Sequence, residues 1–249
     1  TASGGFASEF VAHKTQVFKL PKGFSAKQGI LMEPLSVGLQ AVYGNLPQKG
    51  EHVLIIGGGV IGTMILKSIR GLDLDCCVTI ADPSSAAARA AQENGADNVI
   101  RKRRIMSETV HLTGARRYKP VMGPDMLTGG FARIYDTVGS SATLNMAMRC
   151  LKTGGTLSQV GIGHDAKLDL TPLWLKLQTL KGVYACGKAD YNGRQRHMFD
   201  IAISLVQEGK VNLNGMVSHT FALQDFENMI EVNLNKEKHN AVKTAVLFS

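Results

Sequence analysis

Glu51-His52-Val53-Leu54-Ile55-Ile56-Gly57-Gly58-Gly59-Val60-Ile61-Gly62 is the stretch that decides the fold. Val53 to Ile56 is a short apolar run, the length of a buried strand. It runs into Gly57-x-Gly59-x-x-Gly62, and the next residues, Thr63 to Ile69, have helical character. A second apolar run, Cys77 to Ala81, ends on Asp82, which lies 20 residues beyond Gly62. Strand, glycine turn, helix, strand and acid, in that order, form the dinucleotide-binding fingerprint. Each glycine has a separate task. Gly57 permits the tight turn, Gly59 lets a pyrophosphate approach the backbone, and Gly62 lets helix and strand pack closely. Val60 and Ile61 then stand at the helix start, where free N–H groups and the helix dipole favour an anion. Asp82 is suited to accept from both ribose hydroxyls, and its charge repels a 2′-phosphate, so the cofactor expected is NAD. A Gly-rich turn in another α/β protein is the plain rival. A methyltransferase fold is the structural one, and Gly62 argues against it.

Outward from this stretch, strands and helices alternate. Strands are expected at 52–56, 76–81, 98–100, 131–136, 156–160 and 179–185. Helices are expected at 60–70, 85–94, 105–113, 141–151 and 171–177. Six alternating strands with right-handed crossovers predict an α/β fold with a doubly wound parallel sheet of order 3-2-1-4-5-6. Residues 101–130 fit the rhythm worst, and an irregular loop is expected behind the helix at 105–113. Upstream, residues 5–20 read as one or two strands. Ser25 caps a short helix, and Pro34 opens a longer one from Leu35 to about Asn45. Downstream come a helix at about 192–208, an extended piece at 215–221, a helix near 223–235 and a last strand from Ala241 to Phe248. The division read from this pattern is 1–34, 35–184 and 185–249. The middle part is the Rossmann domain, and the outer parts belong to a second, β-rich lobe.

Bulk properties limit the classes. The 249 residues are 44% hydrophobic and 19% charged, as in ordinary globular proteins. No apolar run reaches the ~18 residues of a membrane helix. The start has no signal-peptide character and no initiator Met, so the chain reads as a processed protein or a fragment. Cys76, Cys77, Cys150 and Cys186 form neither a disulfide framework nor a zinc knuckle, and a reduced, cytoplasmic setting is expected. The net charge is +8, and most of it lies in residues 101–119, where seven basic residues face Glu108 alone. One local patch without interleaved aromatics reads as a solvated loop, or next as a contact for an acidic partner subunit, rather than a nucleic-acid platform.

Several segments together carry a resemblance: Gly4 to Phe10, Val17 to Pro21, Glu33-Pro34-Leu35-Ser36-Val37-Gly38, Gly57 to Gly62, Asp82-Pro83-Ser84, Gly95-Ala96-Asp97 and Asp136-Thr137-Val138-Gly139. In this order they resemble the zinc-dependent medium-chain alcohol dehydrogenases, most closely the sorbitol and threonine dehydrogenase branch. The resemblance implies pyrophosphate at Gly57, Gly59, Val60, Ile61 and Gly62, and ribose at Asp82. It implies cofactor contacts at Val138 and Gly139, nicotinamide beside Val160 and Gly161, and carboxamide facing Val183 to Ala185. The family often has a basic residue five positions after the ribose acid, where this chain has Ala87.

The resemblance also implies a lobe before Gly4 that supplies the catalytic zinc ligands. Glu33 alone matches a zinc-approaching position here, and its other reading is a first-turn carboxylate complementing the helix dipole. The seven histidines form no ligand-spaced pair. His164 could lie by the nicotinamide, with a surface loop histidine as the plainer reading. The function expected is hydride transfer between an alcohol or polyol and NAD, with this chain supplying the cofactor part. A non-catalytic NAD-binding module and a subunit of a split enzyme are the alternatives. Homo-oligomers through the sixth strand are a further expectation of the resemblance.

Overall fold

The computed structural model describes residues 5–7, 9–101, 104–121, 123–163, 165–184 and 186–248. Its centre is a six-stranded parallel sheet. The strands are β1 (His52–Ile56), β2 (Cys77–Ala81), β3 (Asn98–Ile100), β6 (Phe131–Asp136), β7 (Leu151–Gln159) and β8 (Thr179–Gly182). They lie in the order β3-β2-β1-β6-β7-β8. Counting only the strands of this sheet, that is the expected 3-2-1-4-5-6. β4 (Arg116–Tyr118) and β5 (Met126–Thr128) form a separate antiparallel hairpin.

β1, at the centre of the sheet, shows why a strand covered on both faces carries an unbroken apolar run. Val53 and Ile55 of β1 pack with Ala41 and Val42 of α2 (Met32–Gly44) and Ile65, Leu66 and Ile69 of α3 (Val60–Gly71). Leu54 and Ile56 point the other way, towards Leu144, Ala147 and Met148 of α6 (Ser141–Cys150). A parallel strand covered by helices on both faces needs apolar side chains at every position. A third cluster joins α2 and α3 to α8 (Met198–Gln207), to Val211 and Leu213 behind it, and to Ala245 near the end of the chain.

Local signals account for most helix starts. Ser25 makes a capping box with Gln28 at α1 (Ala26–Gly29), and Ser84 caps α4 (Ser85–Glu93). α5 (Ile105–Thr113) ends on Gly114 at φ +67°. α2 starts at Met32 rather than Leu35, since a proline in the first turn lacks only an N–H that has no helical partner there.

Five expectations are corrected. The described part of residues 5–20 holds no strand, only a 3₁₀ turn at Lys14–Gln16. The loop behind α5 contains the β4–β5 hairpin, whose side chains at 116–118 are all exposed and so show no apolar alternation. The helix expected from 192 begins at Met198, because β9 (Lys188–Tyr191) and β10 (Arg194–His197) pair across Asn192-Gly193, both at positive φ. β7 starts at Leu151, and β8 ends at Gly182, short of 183–185. α7 (Thr171–Leu175) precedes β8. After α8 the chain forms β11 (Val217–Ala222), α9 (Phe226–Leu234), α10 (Lys236–His239) and β12 (Lys243–Leu247), and β11 pairs parallel with β12.

Candidate functional site

The glycine turn lies at the carboxyl end of β1, and its geometry follows from atom-to-atom crowding. Gly57 has φ +97°, and a Cβ there would run into the Thr137 hydroxyl. The same hydroxyl donates to the Ile56 carbonyl at 2.9 Å, which ties the β6 loop to the turn. A Cβ on Gly62 would overlap the Gly57 carbonyl oxygen, whereas one on Gly59 would meet nothing within 4 Å. The two glycines therefore serve different ends. Gly62 is required by the protein's own packing, and Gly59 leaves space open in front of the backbone.

Gly59 is the N-cap residue of α3, and no side chain caps the helix. The first helical bond runs from Thr63 N–H to the Gly59 carbonyl at 2.9 Å. The amides of Val60, Ile61 and Gly62 precede it, at the end where N–H groups lack helical acceptors and an anion is favoured. Asp82, just past β2, is held by two backbone donors. Gly58 N–H donates to Oδ2 at 2.7 Å and Ser84 N–H donates to Oδ1 at 2.8 Å. These bonds fix the carboxylate beside the turn and leave each oxygen a lone pair for a ligand. Gly58, Gly59, Asp82, Ser84 and Ala87 line one cleft of about 180 Å³. Lys236 and Asn240, far along the chain, line it too.

The loops after β6 and β7 meet backbone to backbone. Asp136 is fully buried, and its Oδ1 accepts from Val138 N–H at 2.9 Å and Gly139 N–H at 3.1 Å. Its carbonyl accepts from Val160 and Gly161 N–H at 2.8 and 2.9 Å. A Cβ on Gly161 would lie 2.5 Å from the Val138 carbonyl carbon, so only glycine allows this approach. Val138 and Gly139 are thus brought against Val160 and Gly161, while the Val138 side chain stays 47% exposed. Val183 is half-buried, and its N–H donates to the Gln159 carbonyl at 2.9 Å. Ala185 and His164 lie outside the described residues.

Sequence reasoning missed the Gly58 amide, the Thr137 hydroxyl and the cleft-lining residues around α10. A hydroxyl that bonds the neighbouring strand β1, and a segment that returns from the far end of the chain, leave no local pattern.

Glu33 is exposed in the first turn of α2. Its charge and, first, burial push the nearby Cys186 thiol up to about 11, so Cys186 stays protonated at neutral pH. No group of three or more His, Cys, Asp or Glu side chains among the described residues could hold a metal ion. A tetrahedral zinc site needs about three protein ligands. The described residues therefore do not fit zinc. In the basic segment, Arg117 pairs with Asp125 within the exposed hairpin. No helix of the described residues is long and apolar enough to cross a membrane.

The fold and this turn define a class. The sequence model described as "Zinc-binding dehydrogenase" matches residues 60–208. The chain belongs to the zinc-binding dehydrogenase family. L-idonate 5-dehydrogenase of Vitis vinifera is 25% identical over 93% of this chain and 59% of its own length. Sorbitol dehydrogenase of Rattus norvegicus is 28% identical over 83% of this chain and 53% of its own length. Among solved structures, a short chain alcohol dehydrogenase from E. coli CFT073 complexed with NADH superposes with a TM-score of 0.75 at 18% identity. It is matched over 93% of this chain and 62% of that one. The chain spans little more than half the length of the relatives it matches.

Proposed function

We propose that this chain is the cofactor-holding part of an NAD-dependent oxidoreductase that transfers hydride between an alcohol or polyol and NAD. One observation carries the reading: the uncapped start of α3 and the Asp82 carboxylate face the same cleft, joined through the Gly58 amide at 2.7 Å. The residues fit a dinucleotide. Gly59 leaves room for the pyrophosphate, Val60 and Ile61 offer amides, and Asp82 holds the ribose. Val138, Gly139, Val160 and Gly161 lie just past β6 and β7, at the carboxyl ends of neighbouring strands, and would take the next part of the dinucleotide, with Val183 and Ala185 for the carboxamide. NAD, when bound, supplies the hydride acceptor. The protein's own part is to fix its position and to shield it with apolar side chains such as Val138.

The division into 1–34, 35–184 and 185–249 belongs to this reading. So does a substrate- and zinc-binding part contributed by residues outside these 249, and no step is derived through zinc. Glu33 would be this chain's own contribution to such a part. The free outer edge of β8 would pair with a second copy, and sedimentation at several concentrations tests that. The second reading is a binding module without turnover, for which the Asp82 cleft alone suffices.

The two readings separate in one experiment. Thermal unfolding is followed against NAD concentration, and NADH formation is assayed with a panel of polyols and alcohols. Both readings expect the midpoint to rise with NAD, by about 2.7 kcal/mol of stability at a hundredfold excess over Kd. Turnover by the chain with whatever partner co-purifies supports the first. Stabilisation without turnover under every condition supports the second, and no stabilisation contradicts both.

A further inference from the structure

Position 87, where the resemblance implies a cation, is alanine, and its side chain lies in the cleft beside Gly58 and Asp82. The cation is not absent from that cleft. Lys236 lines the same 180 Å³ space from the opposite end of the chain. It stands at the start of α10, where its own carbonyl accepts from Ala241 N–H at 2.9 Å and closes the turn. Asn240, at φ +50°, then leads the chain away towards β12. The neighbours of Lys236 are committed elsewhere: Lys238 and His239 both pair with Glu231, at 3.4 and 2.8 Å. Lys236 makes no ion pair among the described residues. Glu237 also lines the cleft and opposes it.

We infer that Lys236 is the cation that holds the ribose–phosphate end of the dinucleotide, acting from α10 in place of a basic residue at position 87. The inference rests on the proposed dinucleotide site and names a specificity residue outside the span matched by the family. The chemistry is simple. Asp82 takes the ribose hydroxyls but repels the phosphates behind them. An ammonium on the facing wall offsets that repulsion and donates to phosphate or hydroxyl oxygens. Glu237 opposes this attraction, but the hydrogen bond that the ammonium donates has no counterpart in its carboxylate.

The test is titration of the whole chain with ADP-ribose, at low and at moderate salt, for wild type and three variants. Lys236→Ala is expected to weaken binding about tenfold and to flatten its salt dependence. Lys236→Arg restores both, and Glu237→Gln tightens binding about twofold. Opposite signs at adjacent residues would not arise from loosening α10. Wild-type binding with unchanged affinity and salt dependence in Lys236→Ala overturns the inference and leaves the dinucleotide reading intact. Failure of the wild type to bind ADP-ribose overturns both.

Discussion

Gly62→Val is expected to destabilise the fold by about 3 kcal/mol, while Gly59→Ala is expected to leave stability within about 0.5 kcal/mol of wild type. The two glycines belong to one motif, yet their surroundings differ completely. A Cβ at Gly62 overlaps the Gly57 carbonyl oxygen and comes within 3.3 Å of the Ile55 side chain. Backbone cannot swing aside as a long side chain can, so α3 must lift off β1. That separates Ile65 and Leu66 from Val53 and Ile55 in the core. A Cβ at Gly59 meets open space. What it does fill is the approach to the amides of Val60 and Ile61. Gly59→Ala should therefore weaken dinucleotide binding on the order of 100-fold, the equivalent of about two charge-assisted hydrogen bonds. Urea unfolding and NADH titration of both variants check the contrast. Equal stability losses in the two would contradict the assignment of Gly62 to packing and Gly59 to the ligand.

Lys176→Met is expected to cost about 3 kcal/mol at neutral pH, although the residue does not line the Asp82 cleft. Lys176 is 5% exposed, and its partners are carbonyls. Its ammonium donates to Leu151 at 2.5 Å, Arg149 at 2.9 Å and Leu127 at 3.3 Å. Two residues on, Gln178 donates to Met148 and Leu151 at 2.8 and 3.0 Å. Together they satisfy the carboxyl end of α6 and the start of β7. Methionine fills the volume but leaves the Arg149 and Leu127 carbonyls without this donor, at about 3 kcal/mol each, while Leu151 keeps its bond from Gln178. Relief of the buried charge returns about half of that loss. Burial pulls the Lys176 pKa from 10.5 down to about 8, and that shift is worth about 3 kcal/mol.

The same shift sets a pH signature. Between about pH 8 and 10.5 the unfolded chain holds a proton that the folded chain has released, so stability from this group rises with pH across that window. Below pH 8 both states are protonated and this group gives no slope. The buried thiols act in the opposite direction. Burial first of all raises Cys76 and Cys150 from 9.0 to about 11, so their contribution is present below pH 9 and falls as pH rises through 11. The difference between wild type and Lys176→Met, followed by urea unfolding across this range, reports the lysine together with its coupling to the Cys150 thiol. A difference that stays flat from pH 8 to 10.5 would contradict the assignment.

The sheet was legible because its determinants are local and periodic. Val53 to Ile56 is apolar at every position, and Cys77 to Ala81 at all but the buried Thr79, as a doubly covered strand requires. Ser84 announces α4 by its cap. The hairpins were not legible for the complementary reason. Arg116-Arg117-Tyr118 and Arg194-Gln195-Arg196-His197 bury no complete face, so the strand period carries no hydrophobic mark. Asp82 and the glycines could be read as a site because their spacing along the chain is fixed by one βαβ unit. Lys236, Thr137 and Lys176 could not, since each acts on residues brought near by the tertiary fold alone.

The measurement closest to the central claim is calorimetric titration of NAD and NADP into wild type and Asp82→Ala. The account predicts one NAD per chain in the wild type, with NADP at least about tenfold weaker because Asp82 repels its 2′-phosphate. In Asp82→Ala it predicts weaker NAD binding and loss of that preference. Wild-type protein that binds neither nucleotide, or an Asp82→Ala variant that binds both as the wild type does, would contradict it.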